Sequence, residues 1–220
     1  MKDYSLKSGE RFHSLDTNLV GGDHLWRYRY TASKVRQRFS NPFGADIFCG
    51  SGYGAKLLAD EADAFVLAID GSPESIACAN EKILHSNIIY AKKLFPFDLP
   101  KESFDFVASM ESLEHVKDYE AFFWVLAKSI KKGGSLFISS PNENTMPYGG
   151  YVWHYKHFRP EDVRAMAKEN GLREVAAYST SCQIMKDGKA RMGYYFQMGN
   201  ETPKELNEGD TLFFEFLKDV

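Results

Sequence analysis

The sequence predicts an α/β fold of the doubly wound type, in which a mostly parallel sheet carries helices on both faces. Between residues 45 and 140, apolar runs of strand length alternate with segments of helical spacing, which is typical of such sheets. The first run leads into a glycine-rich turn, Gly50-Ser51-Gly52-Tyr53-Gly54. The second run ends on Asp70, about 20 residues after Gly50, where this fold places an acid that accepts hydrogen bonds from a ribose.

The elements follow from the spacing of apolar residues along the chain. Strands are predicted over 45–49, 64–69, 87–91, 104–110 and 135–140, and helices over 55–61, 73–86 and 118–131, with a further helix from Pro160 to about Asn170. Ligands of such folds bind at the carboxyl ends of the strands, where the strand order reverses. We therefore expect the functional site there.

Residues 1–40 are expected to form a helical lid segment, because residues 23–35 carry helical spacing and a helix is predicted to end before Asn41-Pro42. Residues 41–200 are expected to form one ligand-binding domain, and residues 201–220 a C-terminal extension of that domain.

The last part of the domain is predicted to contain antiparallel strands. Residues 173–182 and 191–198 are strand-like, and they flank Asp187-Gly188. Asp-Gly between two strand-like segments is typical of a hairpin turn. We therefore expect a C-terminal hairpin.

The composition is that of an ordinary globular enzyme. Hydrophobic residues make up 44% and charged residues 26% of the 220 residues, which is enough for a full core. The formal charge of −3 gives no general attraction to nucleic acid or to an anionic membrane. With no membrane span and no signal-peptide pattern, a cytoplasmic location is expected. The three cysteines are too few and too scattered for a disulfide framework or a zinc site.

Several ordered motifs resemble those of the class I S-adenosylmethionine (SAM) methyltransferases. They are the acid and glycine turn at 46–54, Asp70-Gly71-Ser72-Pro73-Glu74, and then 103–107, 111–116, 131–136 and 140–142. The resemblance covers about residues 9–200 and includes the ubiquinone-pathway O-methyltransferases. It implies a Rossmann-like, seven-stranded sheet whose strands six and seven form an antiparallel pair, and it implies SAM as cofactor.

The resemblance also implies how SAM would be held. Asp70 would accept both ribose hydroxyls, the backbone of Gly50 and Gly52 would pass close to the methionine moiety, and Leu94 with the Lys93 main chain would contact adenine. The expected cofactor contacts are Asp46, Phe48, Gly50, Gly52, Asp70, Gly71, Ser72, Lys93, Leu94 and Met110.

Two positions depart from the family's pattern. Phe48 stands where members usually have glycine, so its side chain must point away from the cleft or fill part of it. Lys92 stands near the place where many relatives have an acid that touches adenine. These departures keep open a SAM-binding domain without catalytic activity. The pattern Gly50-x-Gly52-x-x-Ala55 also permits an NAD(P)-dependent oxidoreductase.

The N-terminal strings Gly9–Phe12 and His24–Tyr28 resemble bacterial methyltransferases of surface-polysaccharide clusters. This implies that Arg27 or Arg29 could pair with the SAM carboxylate, since a guanidinium fork suits a carboxylate. The residues alone favour a solvated helix face, which is the usual role of a charge run.

The segment 111–115 is the most informative about chemistry. If it forms a helical turn, the spacings i, i+3 and i+4 place Glu111, Glu114 and His115 on one face. Such ligands suit Mg²⁺ or Mn²⁺. The pattern resembles the divalent-metal site of ubiquinone-pathway O-methyltransferases and of small-RNA 3′-terminal 2′-O-methyltransferases, with His154 as the fourth ligand. The alternative is that the acids cap a helix and the histidines pack beside the cofactor or act as base.

We therefore expect transfer of a methyl group from SAM to a small-molecule acceptor, at an oxygen of a sugar or of an aromatic hydroxyl, by in-line displacement. His115 and His154 are the candidate catalytic residues. An aromatic cluster is expected either to roof the acceptor pocket or to pack locally. Its members are Tyr148, Tyr151, Trp153, Tyr155 and Phe158. The sequence assigns neither the acceptor nor an oligomeric state.

Overall fold

The computed structural model of this chain describes residues 20–180, 183–186, 189–192, 206 and 208–219. Its helices are α1 (Gly22–Arg38), α2 (Tyr53–Ala62), α3 (Pro73–Lys82), α4 (Tyr119–Ser129) and α5 (Pro160–Glu169). Its strands are β1 (Phe43–Ile47), β2 (Phe65–Asp70), β3 (Ile88–Lys92), β4 (Phe104–Ser109), β5 (Ile130–Pro141), β6 (Leu172–Thr180), β7 (Gln183–Lys186), β8 (Lys189–Met192) and β9 (Thr211–Lys218). The elements predicted between residues 45 and 140 are confirmed, with the largest difference at the start of β5.

Seven strands form one sheet in the order β3-β2-β1-β4-β5-β9-β6. Strands β3, β2, β1, β4 and β5 pair in parallel, and β9 runs antiparallel to both of its neighbours, β5 and β6. The predicted doubly wound sheet with antiparallel C-terminal strands is therefore confirmed. The chain runs outward from β1 to β3 and then returns to β4 on the other side of β1. A crevice consequently lies at the carboxyl ends of β1 and β4.

The strand that completes the sheet is β9, so its predicted position at 191–198 is wrong. Residues 191–192 belong to β8, which pairs only with β7 in a separate two-stranded ribbon among the described residues. The ribbon is antiparallel and flanks residues 187–188, as expected of the hairpin, but its strands are Gln183–Lys186 and Lys189–Met192 instead of 173–182 and 191–198. Residues 187–188 and 193–198 lie outside the described residues. Glu215 interrupts the apolar pattern of β9 in the sequence. Its side chain is nevertheless fully buried, because its carboxylate accepts hydrogen bonds from Tyr30 and Arg38.

Helices cover both faces of the sheet and enclose two cores. Helices α4 and α5 contribute residues such as Phe122 and Met166 to one core. Helices α1 and α2 contribute residues such as Leu25, Tyr28 and Leu58 to the other. Helix α1, part of the expected lid segment, thus packs against α2 and the sheet, while residues 1–19 lie outside the described part of the chain. None of the helices in the described residues is long and apolar enough to cross a membrane.

Candidate active site

The glycine turn follows β1 at the place where the strand order reverses. Gly50 has a φ of 54° and Gly52 a φ of 87°, a left-handed conformation that glycine adopts easily. A Cβ atom added to Gly50 would meet no atom of the described residues within 4 Å, whereas one on Gly52 would lie 2.9 Å from the Tyr90 ring. The turn is therefore packed at Gly52 and open at Gly50, where a ligand can approach the main chain.

Asp70 joins this turn to the next helix. Its Oδ2 atom accepts the N–H of Gly50 at 3.0 Å, and its Oδ1 atom accepts the N–H of Ser72 at 2.8 Å. The cap of α3 is Ser72 rather than Asp70, because the Ser72 hydroxyl accepts the N–H of Ser75. The carboxylate of Asp70 is thereby fixed at the end of β2, and each oxygen retains a second lone pair for a hydroxyl donor.

Asp46 lies on β1 just before the turn and is fully buried. Its Oδ1 atom accepts a hydrogen bond from the Tyr28 hydroxyl at 3.1 Å, while Oδ2 has no hydrogen-bond partner among the described residues. Burial is the largest cause that raises the pKa of Asp46, to about 7. A cationic group placed against Oδ2 would favour the charged carboxylate.

Phe48 adopts a left-handed conformation with a φ of 65°, which is unusual for a bulky residue and is easily adopted by glycine. Its ring points toward α4, where it meets the Phe122 ring edge to face at 5.3 Å. It also forms part of the wall of a cavity of about 240 Å³. The side chain therefore shapes the cleft instead of occupying the open side of the turn at Gly50.

The residues expected near adenine follow β2, β3 and β4. Gly71 lies against Leu94, since a Cβ atom added to Gly71 would approach a Leu94 methyl carbon within 2.9 Å. The N–H of Lys93 already donates to the carbonyl of Asp70, so an adenine contact through the Lys93 main chain would fall to its carbonyl oxygen. Lys92 is exposed, and Met110 is buried directly after β4.

Arg27 is a residue that the sequence interpretation named as a possible partner of the SAM carboxylate but did not favour. The favoured solvated face is wrong for it, because its side chain is fully buried, whereas Arg29 is partly exposed and pairs with Glu61. Its Nη1 atom donates to Thr180 at 2.6 Å and to Asp23 at 3.2 Å. Its Nε and Nη2 atoms have no hydrogen-bond partner among the described residues. The i, i+4 spacing of Asp23 and Arg27 was the available signal.

Glu111 is separated from the other predicted metal ligands. It has a φ of 48°, and the helical geometry starts only with the short 3-10 helix Leu113–His115, so the expected single face is interrupted. The Glu111 carboxylate accepts a hydrogen bond from Ser139 at 2.7 Å and lies 4.0 Å from the Nη2 atom of Arg27.

Glu114, His115 and His154 come together, each with one potential ligand atom within 4.8 Å of the others. The Nδ1 atom of His115 lies 3.0 Å from the carbonyl oxygen of Trp153, which can only accept a hydrogen bond. His115 therefore carries its proton on Nδ1 when neutral, and its Nε2 lone pair lies 3.8 Å from Glu114 Oε1. A carboxylate and two imidazoles at this separation fit a divalent cation or a general base.

The predicted aromatic cluster divides between core and cleft. Phe158 is fully buried against Tyr119, whereas Tyr151 packs against the His154 ring and Tyr155 lines the cavity. The cavity walls come from the residue before the glycine turn and from the segments after β3, β4 and β5. The complete lining is Phe48, Leu94, Phe95, Pro96, His115, Val116, Lys117, Asp118 and Tyr155.

Comparisons with known proteins agree with this geometry. The family described as a methyltransferase domain matches residues 45–138. A ubiquinone biosynthesis O-methyltransferase of Xanthomonas axonopodis pv. citri is 33% identical over 171 residues, covering 67% of this chain and 68% of the relative. A ubiquinone biosynthesis O-methyltransferase of Neisseria meningitidis is 34% identical over 148 residues, covering 58% and 62% of the two chains.

Solved structures show the same fold. A Haloferax volcanii methyltransferase, in complex with the Trm112 methyltransferase activator, has a TM-score of 0.66 at 19% identity and covers 88% of this chain and 91% of its own. A SAM-dependent methyltransferase of Mesorhizobium loti has a TM-score of 0.63 at 16% identity, with 84% and 95% covered. The ordered motifs, the sheet order and these relatives agree, and the chain belongs to the class I SAM-dependent methyltransferases.

Proposed function

We propose that this methyltransferase transfers the SAM methyl group to an oxygen of a small aromatic acceptor. The observation that carries the proposal is the position of His115, which belongs both to the Glu114, His115 and His154 cluster and to the wall of the cavity. An acceptor hydroxyl in this cavity would therefore lie beside groups that can take its proton. Phe48, at the start of the SAM turn, lines the same cavity.

In the proposed reaction, the acceptor oxygen attacks the methyl carbon in line with its bond to sulfur. That bond breaks, and the sulfur leaves with the electron pair as S-adenosylhomocysteine. Without a bound cation, the hydroxyl proton passes to the Nε2 atom of His115, the proposed base. With a cation held on that nitrogen, the acceptor hydroxyl, whose pKa the cation would lower, would lose its proton to solvent before attack. Holding the two reactants in line can supply roughly 7–11 kcal/mol of the rate enhancement, so the protein contributes mainly by positioning.

The cofactor would be held from both ends of the crevice. Asp70 would accept the ribose hydroxyls, and the open main chain at Gly50 would lie along the methionine moiety. Arg27 would donate Nε and Nη2 to the carboxylate of SAM, since these two atoms have no hydrogen-bond partner among the described residues, although Nη2 lies 4.0 Å from Glu111. Asp46 would pair its Oδ2 atom with the ammonium group. The buried positions of Arg27 and Asp46 support this placement.

The cluster fits a divalent cation, which Glu114, His115 and His154 would hold. A bound cation would lower the pKa of the acceptor hydroxyl and orient the acceptor. Two imidazoles and one carboxylate favour Mn²⁺ or a related transition metal over Mg²⁺, which prefers oxygen ligands. Glu111 is proposed to serve Arg27 instead, because its contacts are with Ser139 and Arg27.

The cavity favours an aromatic hydroxyl over a sugar as acceptor. Of the nine described residues that line the cavity, five have apolar side chains: Phe48, Leu94, Phe95, Pro96 and Val116. A sugar would place several hydroxyl groups against these walls without hydrogen-bond partners, and each such buried group costs about 1–3 kcal/mol. A flat ring with one or two hydroxyl groups buries its faces there and directs its oxygen toward His115.

The test is calorimetric titration with SAM and with NAD⁺, followed by an acceptor screen that detects S-adenosylhomocysteine. We expect binding of SAM alone, and turnover with phenols and catechols in preference to methyl glycosides. Binding of NAD⁺ alone would support the oxidoreductase alternative. Binding of SAM with no turnover on any acceptor would support the alternative of a SAM-binding domain without activity.

The cation is tested by treating the enzyme with EDTA and restoring Mn²⁺ or Mg²⁺. We expect activity to be lost and then recovered best with Mn²⁺, and we expect Glu114→Gln to abolish the recovery. The exposed Glu120 on α4 provides the matched control Glu120→Gln, which should recover fully. Full activity in EDTA would assign the cluster to general-base chemistry instead.

A further inference from the structure

A chain of three hydrogen-bonded groups lies behind the candidate active site. The Nδ1 atom of His157 lies 2.6 Å from the carbonyl oxygen of Met146. The Nε2 atom of the same ring lies 2.7 Å from Nδ1 of His154. Both rings are buried, with 4% of His157 and 8% of His154 exposed. These hydrogen bonds thus connect the Met146 carbonyl to His154, a residue of the Glu114, His115 and His154 cluster.

The carbonyl group of Met146 determines which ring nitrogen of each histidine carries the proton. A carbonyl oxygen only accepts hydrogen bonds, so Nδ1 of His157 carries the proton. In neutral His157, Nε2 is then the acceptor, and Nδ1 of His154 must be the donor. The lone pair of neutral His154 is consequently on Nε2, the nitrogen that can serve as a ligand or as a base.

His115, the other histidine of the cluster, has the same Nδ1–H tautomer through a direct contact with a carbonyl group. His115 donates its Nδ1–H to the carbonyl oxygen of Trp153, which leaves the lone pair on Nε2. For His154, the equivalent acceptor is an imidazole that is itself oriented by the Met146 carbonyl. The two histidines therefore present the same nitrogen to the cluster, although their acceptors differ in kind.

We propose that His157 is a positioning residue that holds His154 in the Nδ1–H tautomer and so directs its Nε2 lone pair into the cluster. His157 itself makes no contact with the cofactor or the acceptor in this role. The consequence for cation binding rests on the proposed function, but the tautomer of His154 does not. Partners of this kind typically change metal affinity by 10–100-fold when they are removed.

The tautomer can be measured by long-range ¹H–¹⁵N NMR of the six imidazoles in the SAM-free, metal-free protein, at a pH where they are neutral. We expect the Nδ1–H tautomer for His154 and for His157. His157→Leu removes the acceptor, and His154 should then shift toward the Nε2–H tautomer that predominates in solution. His157→Gln keeps an amide oxygen that accepts and an amide N–H that donates, so it should retain the Nδ1–H tautomer.

The control variant is His85→Gln, which removes a histidine that pairs with Asp60 away from the cluster and should leave the His154 signals unchanged. The proposal is overturned if His154 is in the Nε2–H tautomer in the unmodified protein. It is also overturned if His157→Leu, verified as folded by its thermal unfolding, leaves the tautomer unchanged. If His157→Leu does not fold, the His157→Gln protein provides the test. Loss of the Nδ1–H tautomer of His154 in that protein would overturn the proposal as well.

A second measurement tests the consequence for metal binding, with Mn²⁺ as the probe in calorimetric titrations. We expect His157→Leu to bind Mn²⁺ about 10–100-fold more weakly, His157→Gln to recover most of that affinity, and both variants to bind SAM within about twofold of the unmodified protein. Equal Mn²⁺ affinity in His157→Leu would contradict the positioning role. Equal affinity in His154→Ala would instead contradict the proposed cation site, so the two failures are distinguishable.

Discussion

At the scale of single residues, the surroundings of an acid decide its chemistry. Asp46 and Asp70 lie near the ends of adjacent parallel strands. Asp70 accepts two main-chain N–H groups, while Asp46 accepts one tyrosine hydroxyl and keeps an oxygen with no partner among the described residues. Both acids are visible in the sequence, but only the tertiary contacts separate a fixed hydrogen-bond acceptor from a carboxyl whose pKa is raised to about 7.

The raised pKa of Asp46 predicts that SAM binding depends on pH. If the carboxylate pairs with the SAM ammonium group, then binding below pH 7 must release a proton from Asp46. We expect the dissociation constant of SAM to be about eightfold larger at pH 6 than at pH 7.5. Calorimetry in two buffers of different ionisation enthalpy measures the released proton. Asp46→Asn should bind SAM more weakly, with the pH dependence removed.

The sign for stability is the opposite. A carboxyl whose pKa is raised from 3.8 in the folded state contributes stability that is fully present below the unfolded value and is lost as the pH rises through about 7. The SAM-free protein should therefore lose free energy of unfolding between pH 4 and pH 7 relative to Asp46→Asn. Urea unfolding at three pH values measures this difference. The same pH dependence of the unfolding free energy in the two proteins would contradict the prediction.

The proposed role of Arg27 predicts that a substitution to lysine weakens SAM binding although the positive charge is kept. Arg27→Lys keeps a cation but loses the guanidinium fork, and such a contact to a charged group contributes about 1.5–3 kcal/mol, so SAM should bind roughly 10–100-fold more weakly. Arg29→Lys is the matched control on the same helix, since Arg29 pairs with Glu61 in a partly exposed position. Equal SAM affinity in the two variants would exclude Arg27 from the cofactor site.

At the scale of elements, the turn after β1 combines two requirements. Gly50 leaves space for a ligand, while Phe48 accepts a left-handed backbone and places its ring against Phe122 and the cavity. Such backbone strain at a bulky residue is often found at functional sites. The ring is therefore proposed as part of the acceptor wall. Its direction comes from the structure alone, because the sequence left it open.

Replacing Phe48 separates the role of the ring from that of the backbone. We expect Phe48→Gly to bind SAM within about twofold of the unmodified protein, because the ring points toward α4. Phe48→Ala removes the same ring but keeps a Cβ atom at a φ of 65°, so it should be less stable than Phe48→Gly by about 1–2 kcal/mol. SAM titration and urea unfolding measure the two effects. Much tighter SAM binding by Phe48→Gly would show that the ring obstructs the cofactor.

At the scale of the whole molecule, helix α1 is fixed to the C-terminal strands of the sheet. Tyr30 and Arg38 of α1 hold the buried Glu215 of β9, and Thr180 at the end of β6 holds Arg27 of α1. The proposed carboxylate contact of SAM therefore depends on segments from both ends of the described chain. Ligand binding should consequently stabilise the fold as a unit.

The expected effect of SAM is a higher unfolding temperature. A ligand at a concentration about 100 times its dissociation constant adds about 2.7 kcal/mol to the stability of the folded state. For a chain of this size, about 2–4 °C of unfolding temperature corresponds to each kcal/mol, so a rise of about 5–10 °C is predicted. Differential scanning calorimetry measures it. An equal rise with NAD⁺ and none with SAM would contradict the cofactor placement.

The sequence by itself determined the order of strands and helices from residue 45 to residue 140, the open glycine turn and the acid that ends β2. These features depend on local physics: apolar spacing sets the element, glycine permits a left-handed turn, and a strand's last residue lies at the edge of the sheet. The ordered motifs added the family, and they brought Glu114, His115 and His154 under consideration.

Only the tertiary structure decided which strand completes the sheet, which arginine is buried and which acid lies apart from the candidate Glu114, His115 and His154 cluster. Each of these outcomes depends on contacts between residues far apart in the chain, such as Glu215 with Tyr30, Arg27 with Thr180 and Glu111 with Ser139. A polar side chain interrupts an apolar pattern in the sequence, yet it is stable inside the protein when distant partners satisfy its hydrogen bonds. Sequence spacing does not reveal those partners.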